Sequence, residues 1–236
     1  MNGNRKSKAG QLLLTCEHGG NRIPAAYASR FRGAEAVLAS HRGWDPGALP
    51  LARLLSRKLG RPLLATTWSR LLVEHNRSPH NPRIWSSYTA DLPKQDRERI
   101  LEHWWRPHRE AVEKAVAAGI RDGQVVHVAV HSFTPEINGE VRNADVSVLY
   151  DSRRKREGAF CDRWMGILQA LDPSLRIRRN YPYLGKADGL TTWLRHEHPQ
   201  SRYIGVELEV NQARVAEPGW RRLQETIVES LQAALA

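Results

Sequence analysis

Val125-Val126-His127-Val128-Ala129-Val130-His131-Ser132 is the stretch that decides the fold. A short run of almost unbroken β-branched and apolar residues ends in a histidine and a serine. A run of this length and composition reads as a strand buried on both faces. Such strands belong to parallel sheets whose faces are covered by helices. The predicted strand is Val125–Val130, with His131-Ser132 just past its carboxyl end. His127 lies within the run, on the same face as His131, and reads as a packed core residue.

Working outward, Gln11–Cys16 reads as a second buried strand that ends in the polar cluster Glu17-His18-Gly19-Gly20-Asn21. Asp45–Leu59 reads as an amphipathic helix, with Leu49, Ala52, Leu55 and Leu59 at helical spacing and Gly60 as the stop. Pro62–Thr67 and Leu71–Glu74 are strand candidates. Asn76–Leu92 is rich in Pro, Asn and Ser and reads as a long loop of a length that is often functional. Asp96–Ile120 is helical, interrupted at Pro107. Ala144–Tyr150, Arg176–Arg179 and Tyr203–Val210 read as strands, Gly158–Leu171 and Gly219–Ala236 as helices, and Asp188–His198 as a short helix or loop. This alternation predicts a single α/β domain over 10–236, preceded by a disordered basic tail at 1–9.

The chain has 236 residues, 41% of them hydrophobic and 26% charged, the profile of a globular protein. No apolar run reaches the roughly 18 residues a membrane span needs. The basic N-terminus is not followed by a signal-peptide pattern, so a cytoplasmic location is expected. Cys16 and Cys161 form no CxxC pair, which argues against a thiolate metal cluster and for reduced thiols. The net charge of +11 raises a nucleic-acid partner. The basic residues, however, are scattered through the tail, Arg153–Arg156, Arg176–Arg179 and helices rich in glutamate. No zinc-finger spacing or aromatic-basic strand pattern accompanies them. A basic solvated surface that attracts a small acidic substrate is the expected reading. A nucleic-acid-binding protein on the same fold is the competing one.

Polar groups gather where predicted strands end, and ligands of open α/β sheets bind there. His18 and His131 each follow a strand, and neutral imidazole is a common zinc ligand. A catalytic zinc takes a third protein ligand. Asp45 is one candidate, although its place before a helix with Pro46 next in line also suits an N-cap. Glu74 and Asn21 are rivals. Glu207 and Glu209 lie two apart in an otherwise apolar strand and so share a face. Like charges there call for a metal, an arginine or a catalytic need. A glutamate near a metal-activated water suits a general base. Asn76, Arg77 and Arg142 are candidates for substrate binding, since guanidinium matches carboxylate. Ser132 is a further candidate for substrate binding. It follows His131 directly, so in an extended segment the two side chains diverge, which argues against a serine–histidine couple. No GxSxG, Walker or GxGxxG motif is present.

These segments resemble the N-formylglutamate amidohydrolase family. Cys16-Glu17-His18-Gly19-Gly20-Asn21-Arg22-Ile23-Pro24 is similar to its opening motif, and Trp44-Asp45-Pro46-Gly47 to its next block. Glu74-His75-Asn76-Arg77 resembles a block that usually begins with Asp, so Glu74 is a departure. His131-Ser132-Phe133-Thr134-Pro135 is the strongest match. Arg142–Asp145, Val148-Leu149-Tyr150, Asn180–Tyr183 and Glu207–Asn211 follow in the family's order. The resemblance implies a three-layer α/β/α sandwich with a mixed central sheet, similar to zinc carboxypeptidases and aspartoacylases. It also implies one Zn2+ per chain and hydrolysis of N-formyl-L-glutamate, or of another N-acyl amino acid or small peptide. By the same resemblance His18, His131 and Asp45 hold the metal, with Asp45 replacing the glutamate that Asn21 displaces. Asn76 and Arg77 bind substrate, and Glu209 acts as the base with Glu207 as its rival.

Overall fold

The computed structural model describes residues 11–236, and the tail expected at 1–9 lies outside them. The first half of the chain runs through β1 (Gln11–Cys16), α1 (Glu35–Ala39), α2 (Ala48–Leu59), β2 (Leu63–Ala65), α3 (Lys94–Ile100) and α4 (Arg106–Asp122). Then come β3 (Val125–Phe133), the hairpin of β4 (Glu136–Ile137) and β5 (Glu140–Val141), β6 (Val146–Leu149) and α5 (Lys155–Leu171). The chain continues through β7 (Ile177–Arg179), α6 (Leu190–Glu197), β8 (Tyr203–Asn211), α7 (Gln212–Val215) and α8 (Trp220–Leu235).

Six strands form one sheet in the order β2-β1-β3-β8-β6-β7. The first four run parallel, and β6 runs antiparallel to β8 with β7 parallel beside it. Helices α2, α5 and α8 pack on one face and α4 and α6 on the other. The architecture is therefore the three-layer α/β/α sandwich with a mixed sheet.

Strand alternation sorts the residues between the two faces. Val126, Val128 and Val130 of β3 join Leu12, Leu14, Ile204, Val206 and Leu208 in the larger core. Each such fully buried side chain contributes about 1.5–3 kcal/mol. The opposite face begins with Leu13, Val125 and Tyr203, packed beside Val112, Val116, Leu190 and Leu194. His127 lies on that face, 2.8 Å from Thr15 Oγ1 and 2.7 Å from the Tyr203 hydroxyl. Burial depresses its pKa to about 4, so it is a neutral, satisfied core residue, as the sequence suggested. Further along the same face stand His131, Glu207 and Glu209. The polar chemistry of β3 and β8 is thus confined to one side of the sheet.

Several expectations are corrected. Leu71–Glu74 is not a strand: its backbone turns, and Leu72 and Val73 pack with Tyr27, Ile84, Ile100 and Trp105 in a satellite core under the long loop. An apolar run looks the same whether it fills a sheet or such a satellite. The strand in Pro62–Thr67 shortens to Leu63–Ala65, and β3 extends through His131 to Phe133. The helix over Asp96–Ile120 is broken by a π-helical turn at Leu101–Trp105. Pro107 has no N–H for the carbonyl of residue 103, and the ladder widens just before it.

A buried ion pair ties the helical layers to the sheet. Glu157 on α5 is fully buried, with Arg195 Nε of α6 at 3.1 and 3.0 Å from its two oxygens. It also accepts from Gly205 N of β8 at 3.1 Å, and Arg195 Nη2 donates to Gly205 O at 2.8 Å. Removing one partner leaves the other charge buried and unpaired. The Glu157→Ala variant is therefore expected to lose about 3–5 kcal/mol of unfolding free energy in urea titration. A loss below about 1 kcal/mol, the range of an exposed pair, would contradict this reading.

Candidate metal centre and cleft

The turn after β1 presents Glu17 and His18, and the turn before α2 presents Asp45. Their backbones are joined by a hydrogen bond from Asp45 N to His18 O of 3.0 Å. Asp45 does not cap α2. Gly47 takes the N-cap position in a left-handed conformation at φ 83°, where a Cβ would meet Val215 at 2.5 Å. The Asp45 side chain is left to turn toward the strand ends. There β3 supplies His131, opposite Glu209 of β8 in the strand register.

Three lone-pair atoms meet at this point. His18 Nδ1 and His131 Nδ1 lie 3.2 Å apart. Asp45 Oδ2 is 3.2 Å from the first and 3.0 Å from the second. All three side chains are buried. Ligands at zinc bond lengths stand about 3.3 Å from one another around a tetrahedron, close to these edges. Two imidazoles and a carboxylate are also the N/O donor chemistry of catalytic zinc sites.

The outer nitrogens fit the same reading. His18 Nε2 bonds to Glu74 Oε1. His131 Nε2 lies 3.0 Å from Glu17 Oε2, close enough to pair but off the line of a good hydrogen bond. Glu74 holds the Nε2 proton of His18 and Glu17 stands within ion-pair distance behind His131, so the Nδ1 lone pairs face each other in the manner of carboxylate–histidine–zinc triads. Arg70 completes the cluster, with Nε 2.7 Å from Glu74 Oε2 and Nη1 3.2 Å from Asp45 Oδ1.

Charge balance points to a cation. Glu17, Asp45 and Glu74 are buried carboxylates, and Arg70 offsets one of them. Two imidazolium ions or one divalent ion neutralise the remainder. In the metal-free cluster, burial works against charge, but Asp45 and Glu17 lift His131 well above the ordinary histidine value. Burial likewise opposes ionisation of Glu17, while the His108 and His131 imidazoles hold it well below the usual carboxylate range. The residues present therefore fit a zinc ion.

A cleft of about 130 Å³ opens onto this cluster. His18, Asp45 and His131 form its floor, and Glu207, Glu209, Asn76, Arg77 and Ser132 line it. Glu209 Oε2 has no hydrogen-bond partner although it is buried. Its pKa is pushed up to about 8, chiefly by burial, with Asp45 and Glu207 adding and the His131 imidazole opposing. Glu207 accepts from Thr191 Oγ1 at 2.7 Å. Asn76 Oδ1 accepts from Leu190 N at 2.7 Å. Arg77 donates to the backbone carbonyls of Asn76 and Asp188.

Other expected residues sit elsewhere. The Ser132 hydroxyl is engaged by Pro46 O at 2.7 Å and Gln212 Nε2 at 3.1 Å. Arg142 is not on the cleft wall: its guanidinium stacks 5.0 Å from the Tyr183 ring centroid and bonds to that hydroxyl at 3.0 Å. Asn21 turns away to Leu38 O, at 3.1 Å. Glu74 stands behind His18 rather than at the ligand triangle.

Sequence reasoning missed Arg70, whose one signal is its spacing four residues before Glu74. It also missed the supporting role of Glu17, for which adjacency to His18 was the signal, and His108 of α4, 3.5 Å from Glu17, which had none.

Residues 10–216 match the family of N-formylglutamate amidohydrolases. Gene product Atu2144 from Agrobacterium tumefaciens is 31% identical, over 96% of this chain and 90% of that one, with a TM-score of 0.81. The N-formylglutamate amidohydrolase of Ralstonia eutropha JMP134 shares the fold at 20% identity, over 97% and 94% of the two chains, with a TM-score of 0.71. No curated protein matches the chain. The protein is a hydrolase of amide bonds. It belongs to the N-formylglutamate amidohydrolase family.

The carboxylates behind the histidines give the first test of the centre. Glu74→Gln is expected to weaken zinc affinity about 10- to 100-fold, the usual effect of an outer-shell change, while the fold is kept. Competition with a chromophoric chelator reads it. Unchanged affinity would remove Glu74 from the centre.

Proposed function

We propose that this amidohydrolase holds one zinc ion per chain through His18, Asp45 and His131 and hydrolyses N-acyl amino acids, N-formyl-L-glutamate to formate and L-glutamate among them. One observation carries the reading: the ligand triangle and an unpartnered, buried glutamate share a single cleft. The names of the family and of the Ralstonia relative supply the substrate. A small acidic substrate also suits the arginines of the cleft.

Zinc bound there supplies a Lewis acid that polarises the amide carbonyl and acidifies a water. Arg77 faces the cleft and offers its remaining N–H donors to a substrate carboxylate, while Arg70 stays engaged by Glu74 and Asp45. Glu209 Oε2 takes the proton from the attacking water. It then passes that proton to the amide nitrogen as the C–N bond breaks, leaving a carboxylate and a free amine. Burial pushes the Glu209 carboxyl up to about 8 in the metal-free chain, and a divalent ion beside it would favour the carboxylate form that accepts the proton. Glu207, fixed by Thr191, shapes the wall beside it. A cytoplasmic setting is consistent with two buried free thiols, Cys16 and Cys161. Among the described residues no helix is long and apolar enough to cross a membrane.

The Glu209→Gln variant tests the mechanism. Formate release from N-formyl-L-glutamate is expected to fall about 10²- to 10⁴-fold, the range of general acid–base catalysis, while zinc content stays at the wild-type level. Turnover close to wild type would remove Glu209 as the base.

A further inference from the structure

A second cavity, of about 270 Å³, adjoins the cleft. It shares Asp45, Arg70, Ser132 and Tyr183 with the cleft, so the two meet at the metal-binding wall. A substrate carbonyl brought to that wall has one space on either side of it. The cleft holds Arg77 for a carboxylate of the amino-acid part of the substrate. A formyl group, with two heavy atoms, leaves most of the second space unfilled.

The walls of the second cavity have two characters. The exposed Ile137 and Tyr183, with Leu71 and Phe133 buried behind them, give one part of its wall an apolar character. Arg42 and His41 stand along it. Arg142 lies behind Tyr183, bonded to the Tyr183 hydroxyl and to Thr134 O. Among the described residues neither Arg42 nor Arg142 pairs with a carboxylate. Burial, and then the guanidiniums of Arg142, Arg42 and Arg70, hold His41 below the ordinary histidine value. The cavity thus carries a positive potential over a partly apolar lining.

We propose that this cavity is an acyl subsite, and that the preferred substrates carry a linear acyl chain of several carbons ending in a carboxylate. The methylenes run along Ile137 and Tyr183, and the terminal carboxylate meets Arg42. The inference rests on the amidohydrolase reading and names its acyl specificity. The chemistry is unchanged: water adds to the acyl carbon, the C–N bond breaks, and a dicarboxylate and an amino acid leave.

Binding reads the subsite apart from turnover. The Glu209→Gln protein, supplied with zinc, is titrated calorimetrically with N-glutaryl-, N-pentanoyl- and N-formyl-L-glutamate. The glutaryl compound is expected to bind about 10- to 100-fold more tightly than the pentanoyl compound of equal length, the range of a hydrogen bond to a charged group. Adding Arg42→Ala, at an exposed position, is expected to erase that difference. Equal affinity for glutaryl and formyl compounds, or a difference that survives Arg42→Ala, overturns the subsite. A loss that falls equally on the formyl compound overturns it too, because the cavity would then hold the glutamate side chain. Hydrolysis by the zinc-loaded wild type is read separately. Formate release without a glutaryl preference in binding removes the subsite and keeps the reaction. A glutaryl preference in binding with no hydrolysis of any compound keeps the subsite and removes the reaction.

Discussion

The carboxylates of Glu17, Asp45 and Glu74 lie buried at the end of a parallel sheet, where an unpaired charge costs several kcal/mol. Each needs a positive partner within reach, and the surrounding structure supplies it. Glu74 and Glu17 stand behind the two histidines, and Arg70 bridges Glu74 to Asp45. With Glu74 bonded to one outer nitrogen and Glu17 beside the other, the rings of His18 and His131 turn their Nδ1 atoms toward each other and toward Asp45. The hydrogen bond from Asp45 N to His18 O and the left-handed turn at Gly47 bring the loops to the same point. The cluster therefore fits a divalent cation, the group we propose it holds.

The sheet separates this chemistry from the core. One face of β3 and β8 is apolar along its length and anchors α2, α5 and α8. The other changes from packed core at Val125 and Tyr203, through the satisfied His127, to His131, Glu207 and Glu209 at the cleft. Stability and reactivity are thus assigned to different faces and different ends of the same two strands. Glu157 and Arg195 hold α5, α6 and β8 together behind them.

Most of the sheet was legible in the sequence because buried parallel strands read as unbroken apolar runs, as at Val125–Val130 and Tyr203–Val210. The shared face of Glu207 and Glu209 followed from a period of two. Leu71–Glu74 misled because apolar content does not say which core a segment fills. Asp45 stood between cap and ligand, since the choice depends on how Gly47 packs against Val215, a contact made across 168 positions of chain that no local pattern encodes. Arg142 looked like a substrate anchor by residue type, yet Tyr183 lies between it and the cleft. Arg70 and His108 act through tertiary neighbours, and their local sequence does not reveal it. The family resemblance recovered the motif order that spacing alone left open.

The proposed reaction requires a metal ion at the meeting point of β1, β3 and the turn before α2. Anomalous diffraction at the zinc edge, on crystals of the zinc-loaded protein, tests this most directly. A single peak is predicted at about 2.0–2.2 Å from His18 Nδ1, His131 Nδ1 and a carboxylate oxygen of Asp45. A zinc peak at other residues, or none in this cluster under saturating zinc, would contradict it.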